Sequence, residues 1–495
     1  MGISPPLRLW PASLLFEMAA LPLLCWWGRG SGFAVETGGM DCGNRSETVH
    51  GGIHAAPEVA VSEGPHVSSL SRKYTLALLW ITYAAHYLCR VNLAAAQKDL
   101  AAERGLGKQQ LGVLLSLLKV CYCSGQFING HLADRLSPRR LIVLGLTVSG
   151  LLNLLFAHQE RFLWFAVLWA ANGYFQAFGW TSVVRITANW FPPRLRETAS
   201  GILGTSYVLG SGLSWLLSGR VTQAYGWRYA FWCPAWICFT VAGVVLFCLR
   251  DRPVNERRET QTPDSRGPLS CPPESDTILS GRRLALAALA FAQTCLLFGY
   301  HGLLDWTPHY LAEVGRVTAG AAANRAFLLP LGGALGCLGL ALITRRYPGK
   351  LGPYRTIVAP LLILAVLVVA FPSLPHRAPA AVPGGLLILG AVSSPPASVM
   401  ACALPADLCG AEAAGRAAGL VDASGYVGSA LSGWLSGQVM DRLGASRGSD
   451  AAWAFVWRMW AAGILVSACL VALIARYLDG GKKTVAVCDR TGGGE

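Results

Sequence analysis

Charge is what this sequence has least of: of 495 residues, only 14% are Asp, Glu, Lys or Arg. A chain so poor in charge and 53% hydrophobic does not read as a soluble domain with a wetted surface. Catalytic signatures are missing as well. There is no phosphate-binding glycine loop and no HExxH, so neither an enzyme nor a metal or organic cofactor finds support. The fifteen cysteines follow no disulfide or zinc spacing. Most, such as Cys121, Cys123, Cys233 and Cys238, fall inside apolar runs and read as small core residues. Apolar residues do not alternate with polar ones either, which leaves little room for half-buried strands.

What is present is a series of long apolar runs, each of roughly 20 residues and so long enough to cross about 30 Å of hydrocarbon as helix. They fall near 74–97, 110–132, 139–157, 161–188, 197–218 and 228–249, and again near 284–309, 318–343, 355–372, 382–405, 414–437 and 452–476. The expected fold is therefore an all-α membrane protein of twelve helices in two halves, 72–250 and 282–478. The formal charge of +14 does not call for nucleic acid, because the Lys and Arg sit mainly between spans. Their excess in alternate loops, with residues such as Arg194, Arg250, Arg282 and Arg345, puts both termini in the cytoplasm.

Residues 251–281 are rich in Pro, Ser and charge and read as a cytoplasmic linker, and 479–495 as a cytoplasmic tail. Residues 1–71 read as a poorly ordered cytoplasmic extension. Its apolar stretch 10–27 carries Glu17 and two prolines, and a cleaved signal peptide there would invert the loop charges. The sequon at Asn44 is then on the wrong side for glycosylation.

An internal repeat supports the two-half plan. Residues 198–221 and 416–439 align without gaps, with eleven of 24 pairs identical, among them Gly201/Gly419, Ser206/Ser424 and Gly219/Gly437. The shared residues are mostly Gly, Ser and Ala, which let helix backbones approach closely. Between the second and third spans, "GHLADRLSPRR" places Gly130, Asp134, Arg135, Arg139 and Arg140 in the pattern Gly-x-x-x-Asp-Arg-x-x-x-Arg-Arg. Here the chain resembles the major facilitator superfamily, in which this loop is a cytoplasmic latch of carboxylate, helix end and arginine.

"GLLDWTPHYL" (302–311), "YAAHYLCRVNLAAA" (83–96), "GWTSVVRITANWF" (179–191) and "GRAAGLVDASGYVG" (415–428) narrow the resemblance to the organophosphate:phosphate antiporter family. It covers about 72–478. The family implies an alternating-access carrier that exchanges a small phosphorylated metabolite, a sugar phosphate or glycerol phosphate, for inorganic phosphate, as a monomer in the bilayer. It also implies a phosphate held by one arginine from each half. Arg90 falls on the first of these positions, and Tyr300 on the second. A family lysine falls on Gln126 and a family histidine on Tyr207, so three of the four expected polar groups have become neutral.

Lys119 lies seven residues before Gln126, two turns along the same face, and with Arg90 would make the cavity electropositive. Tyr87 would line it. His86, His301, Asp305 and Asp422 are candidates for proton or ion coupling, because ionisable groups within spans face a cavity or a partner. For His86 and His301 the plainer alternative is a core histidine, and for Asp305 a cap or ion pair near the outer helix end. Two other readings of function stay open: a carrier of another anion, such as a carboxylate, with proton coupling, and a receptor that no longer transports.

Overall fold

The computed structural model describes residues 69–133, 136–253, 276–346 and 353–491. Asn44, Asp134, Arg135 and most of the expected linker lie outside the described residues, and the described chain contains no strand. In order, the longer helices are α1 (Ser69–Leu88), α2 (Asn92–Arg104), α3 (Lys108–Ala133), α4 (Pro138–Ala157), α5 (Phe162–Trp190), α6 (Pro193–Tyr225) and α7 (Tyr229–Cys248). The second half has α8 (Asp276–Val314), α9 (Ala319–Ala326), α10 (Leu328–Arg346), α11 (Pro353–Ala370), the short α12 (Leu374–Arg377), α13 (Val382–Arg447) and α14 (Ser449–Thr491). Helix α8 thus begins inside the stretch expected as linker, and α14 runs on into the stretch expected as tail.

Several of these helices do not map one to one onto a span, α9 and α10 sharing Ala319–Leu340. α1 and α2 are one span interrupted at Cys89–Val91. α13 holds two spans: Gln293 Nε2 donates to Ala397 O at 3.5 Å, while the adjacent Thr294 Oγ1 donates to Ser424 O at 2.9 Å. Positions 397 and 424 would lie roughly 40 Å apart along a straight helix, so the chain must double back between them.

Among the described residues, seven stretches are long and apolar enough by themselves to cross a membrane: Pro138–Ala157, Tyr229–Cys248, Gly281–Val314, Ala319–Leu340, Thr356–Arg377, Pro379–Cys409 and Ser449–Leu478. The five other expected spans, near 74–97, 110–132, 161–188, 197–218 and 414–437, are helical but less apolar. Their polar and small residues, including Arg90, Lys119, Asn172, Ser206 and Asp422, face neighbouring helices or the space between the halves, where lipid-like character is not required.

The halves meet at one end. A side chain on Gly112 of α3 would strike the Gly433 carbonyl of α13, and Gly437 sits equally close to the Lys108 carbonyl. There Asp441 caps α3 from the opposite half, accepting the Lys108 amide at 3.0 Å and the Gln109 amide at 2.7 Å. Lys108 Nζ adds an ion pair to Glu313 at 2.8 Å. A carboxylate on the first free amides of a helix is a favourable placement, because these donors have no partner within the helix.

Extending the repeat by two residues sets Gln223 of α6 against Asp441. Gln223 Oε1 accepts from Thr318 Oγ1, the cap of α9, at 3.1 Å, while Gly219 abuts Ala323 and Gly212 abuts Phe327. Equivalent helix ends therefore reach across to helix starts of the other half. The Gly437-x-x-x-Asp441-Arg442-Leu443 run also repeats the pattern of Gly130-x-x-x-Asp134-Arg135-Leu136, at the opposite end of the molecule. Toward that other end a Cβ on Gly201, Gly204, Gly339 or Gly419 would meet no atom of the described residues within 4 Å, so the described parts of the halves stand apart there.

Gly130 lies in the last turns of α3. Arg139 works within its own half: its amide donates to Asp251 Oδ1 at 2.8 Å and its guanidinium to the Leu249 carbonyl at 3.3 Å. Arg140 contributes its amide to the Ser137 cap of α4.

Asp441→Ala should weaken the closed end by about 1 kcal/mol, the usual worth of a helix cap, or roughly fivefold in the open-to-closed ratio. Spin labels on Ala102→Cys and Ala445→Cys should then report a larger population of long distances. An unchanged distance distribution would mean that the cap does not hold the halves together.

Candidate functional site

Arg90 sits in the interruption between α1 and α2, is 7% exposed, and points into a cage of tyrosines. Its guanidinium carbon lies 3.8 Å from the ring centroid of Tyr122, 5.0 Å from that of Tyr87 and 5.8 Å from that of Tyr426. It donates to the hydroxyls of Tyr87 at 3.5 Å and Tyr426 at 3.3 Å. Among the described residues no carboxylate forms an ion pair with it. Ring faces and hydroxyls thus satisfy the cation while leaving it without a full counter-charge. Tyr426 belongs to the other half, so the cage spans the two halves.

Lys119 is placed differently from Arg90. Its Nζ forms an ion pair with Asp305 of α8, both side chains being at most 10% exposed, and approaches the Ser429 carbonyl at 3.4 Å. The expectation that Lys119 raises the cavity potential must be corrected, because Asp305 cancels its charge. The alternative weighed for Asp305, an ion pair, is the one the structure shows, although its partner comes from the opposite half. Gln97 of α2 also donates to the Asp305 backbone carbonyl at 3.2 Å, which adds a second tie between the halves at this level.

The neutral replacements form a hydroxyl network. Tyr300 shares a hydrogen bond with Ser394 at 3.2 Å, and Tyr207 one with Ser398 at 3.1 Å. Gln126 donates to the Tyr122 hydroxyl at 2.8 Å, and so holds the ring on which Arg90 rests. Tyr87 and Tyr207 stand with ring centroids 6.1 Å apart. His301, half-buried, lies 6.1 Å from Tyr426 by ring centroids, and half-buried Asp422 is one turn before Tyr426 on α13.

His86 does not join this set. Its Nδ1 pairs with Thr82 O at 3.0 Å, and its other edge packs against Gly145 and Gly179, where a side chain on Gly179 would collide with the ring and one on Gly145 would crowd it. It therefore wedges between α4 and α5 as a core group. Sequence reasoning missed Tyr122, although its position four residues before Gln126 on one helix face was a readable signal. It also missed Ser394 and Ser398, for which "SSPPASVM" gave no cue beyond polarity within a span.

The arrangement is a set of aromatic and hydroxyl groups at the seam of two helical halves, packed together at one end, with one cation held by neutral groups and a second cation tied up across the interface. Such a seam suits an anion that both halves can touch.

Relatives and folds agree with this geometry. The chain is 28% identical over 384 residues to a protein named probable hexose phosphate transport protein from Chlamydia pneumoniae, covering 73% of this chain and 84% of that one. It is 27% identical over 387 residues to membrane sensor protein UhpC of Salmonella typhimurium, covering 75% and 86%. Among solved structures, an inward-facing bacterial homologue of the lysosomal transporter Spinster superposes with a TM-score of 0.68 at 16% identity, over 83% of this chain and 98% of that one. The family model described as Major Facilitator Superfamily matches residues 79–433. With that match over most of its length, and two helical halves packed against each other, the chain belongs to the Major Facilitator Superfamily.

Proposed function

We propose that this integral, multi-pass membrane protein is a secondary carrier of a small organic anion, a phosphorylated metabolite such as a sugar phosphate, which it exchanges for inorganic phosphate by alternating access. The observation that carries this reading is Arg90, a buried cation at the seam of the halves whose partners are replaceable tyrosine faces and hydroxyls. An anion forms a charge-assisted hydrogen bond with a guanidinium, about twice as strong as a neutral one, and so displaces the Tyr87 and Tyr426 hydroxyls.

Tyr426 and Tyr300 stand on the second half, and an anion on Arg90 that also engages their hydroxyls draws the halves together at the open end. The same motion must part the Lys119–Asp305 pair. Leaving either partner buried and unpaired costs roughly 3–5 kcal/mol, so the pair keeps the sealed end shut until an anion near Arg90 and Lys119 offsets that cost. The names borne by relatives, a hexose phosphate transport protein among them, support the substrate class, and nothing in the site serves covalent catalysis.

The sensor reading has support of its own in the relative named a membrane sensor. The Lys119–Asp305 pair favours the carrier, since a breakable ion pair across the halves has its use in a moving protein.

Proteoliposomes preloaded with inorganic phosphate should take up labelled hexose phosphate or glycerol phosphate, and Arg90→Ala should abolish the flux. Ligand binding without flux would decide for the sensor. Asp305→Asn alone should destabilise the protein by roughly 3–5 kcal/mol. The double change Lys119→Met with Asp305→Leu should fold but leak or exchange less tightly, and wild-type exchange in that variant would remove the pair from the mechanism. Tyr300→Arg should restore selection for doubly charged phosphate esters over monoanions, measured as the ratio of their KM values.

A further inference from the structure

The helix break that presents Arg90 has no local cause. "HYLCRVNLAAA" (86–96) contains neither proline nor glycine, the usual sources of a sharp interruption. Yet the chain leaves helix after Leu88 and resumes it at Asn92, with the amides of Arg90 and Val91 both turned to the Tyr87 carbonyl at 3.2 Å. In an unbroken helix the Leu88 and Cys89 carbonyls would serve the amides of Asn92 and Leu93. Here other helices take them. Ser214 of α6 donates to Leu88 O at 3.1 Å. Asn172 of α5 and Asn153 of α4 donate to Cys89 O at 2.8 and 3.2 Å. Asn92 closes the set, donating to Asn153 Oδ1 at 2.9 Å and to Ala230 O of α7 at 3.0 Å.

All three asparagines are fully buried. Within a membrane, broken helix is tolerated only where its freed backbone groups are satisfied again by other groups.

We propose that Asn172 and Asn153 are positioning residues for anion binding: by capturing the Cys89 carbonyl they keep residues 89–91 unwound and aim Arg90 into the tyrosine cage. Without them the Cys89 carbonyl is free to accept the Leu93 amide. The helix then closes, and Arg90 swings out of the cage, because each residue restored to the helix turns the side chain by about 100°. Part of this rests on the reading of Arg90 as anion anchor, while the backbone effect does not.

The test uses full-length wild type, Asn172→Leu, which is close in size and lacks the donor, and Asn172→Gln, which keeps an amide. Hydrogen–deuterium exchange over residues 87–95, with no ligand present, should slow at least about tenfold in Asn172→Leu and stay near wild type in Asn172→Gln. In proteoliposomes, KM for inorganic phosphate should rise about 10- to 100-fold in Asn172→Leu with kcat nearly unchanged, as expected for loss of one charge-assisted contact, and Asn172→Gln should recover most of it. If the leucine variant does not fold, Asn172→Ala, which removes the same donor with a smaller side chain, is read in the same way. Unchanged hydrogen exchange over 87–95 overturns the proposal whatever the phosphate result. Slowed hydrogen exchange in a protein whose wild type shows no phosphate flux supports the clamp and rejects the phosphate reading instead.

Discussion

A charge held in hydrocarbon has to be satisfied by something, and the way Arg90 is satisfied sets the terms for the rest of this molecule. A permanent carboxylate partner would stabilise the arginine best, but it would also compete with any anionic substrate. Tyrosine faces and hydroxyls are the compromise. They stabilise the cation enough for it to stay buried, and they remain weaker than the charge-assisted bonds an anion offers. Lys119, on α3, receives the opposite treatment: Asp305 neutralises it, and its role shifts from attraction to holding the halves together.

The seal between the halves follows from small residues and borrowed helix ends. Gly112, Gly433 and Gly437 allow backbones to touch, and that proximity lets Asp441 reach the first amides of α3. The second half-to-half contact, through Gly219 and Gln223, uses the equivalent positions of the repeat with a neutral side chain in place of the carboxylate. At the other end the glycines of the same helices, Gly201 and Gly419, have nothing among the described residues against them. One set of helices thus carries a packed end and an unpacked end, as a rocking motion about a central site requires.

Relatives on this fold bear the names of a transport protein and of a sensor, so the fold alone does not choose between these activities. The choice lies in the site, in whether an anion at Arg90 changes the balance between the inter-half contacts and their loss.

Much of this protein was legible in its residues. Apolar runs, the repeat of 198–221 in 416–439 and the Gly-x-x-x-Asp-Arg loop gave the fold class and the two-half plan, because span length, close helix contact and loop charge are local or periodic properties. Arg90, Tyr300, Gln126 and Tyr207 could be singled out because each occupies a motif position. Partnerships could not be read this way. That Lys119 meets Asp305, that His86 turns into the α4–α5 contact rather than the seam of the halves, and that Tyr122 underlies Arg90 all depend on how helices far apart in sequence face one another. The break at Cys89–Val91 is the clearest case, since no residue within it interrupts a helix. It exists because asparagines on two other helices compete successfully for a backbone carbonyl, and only tertiary packing brings those groups within hydrogen-bond distance.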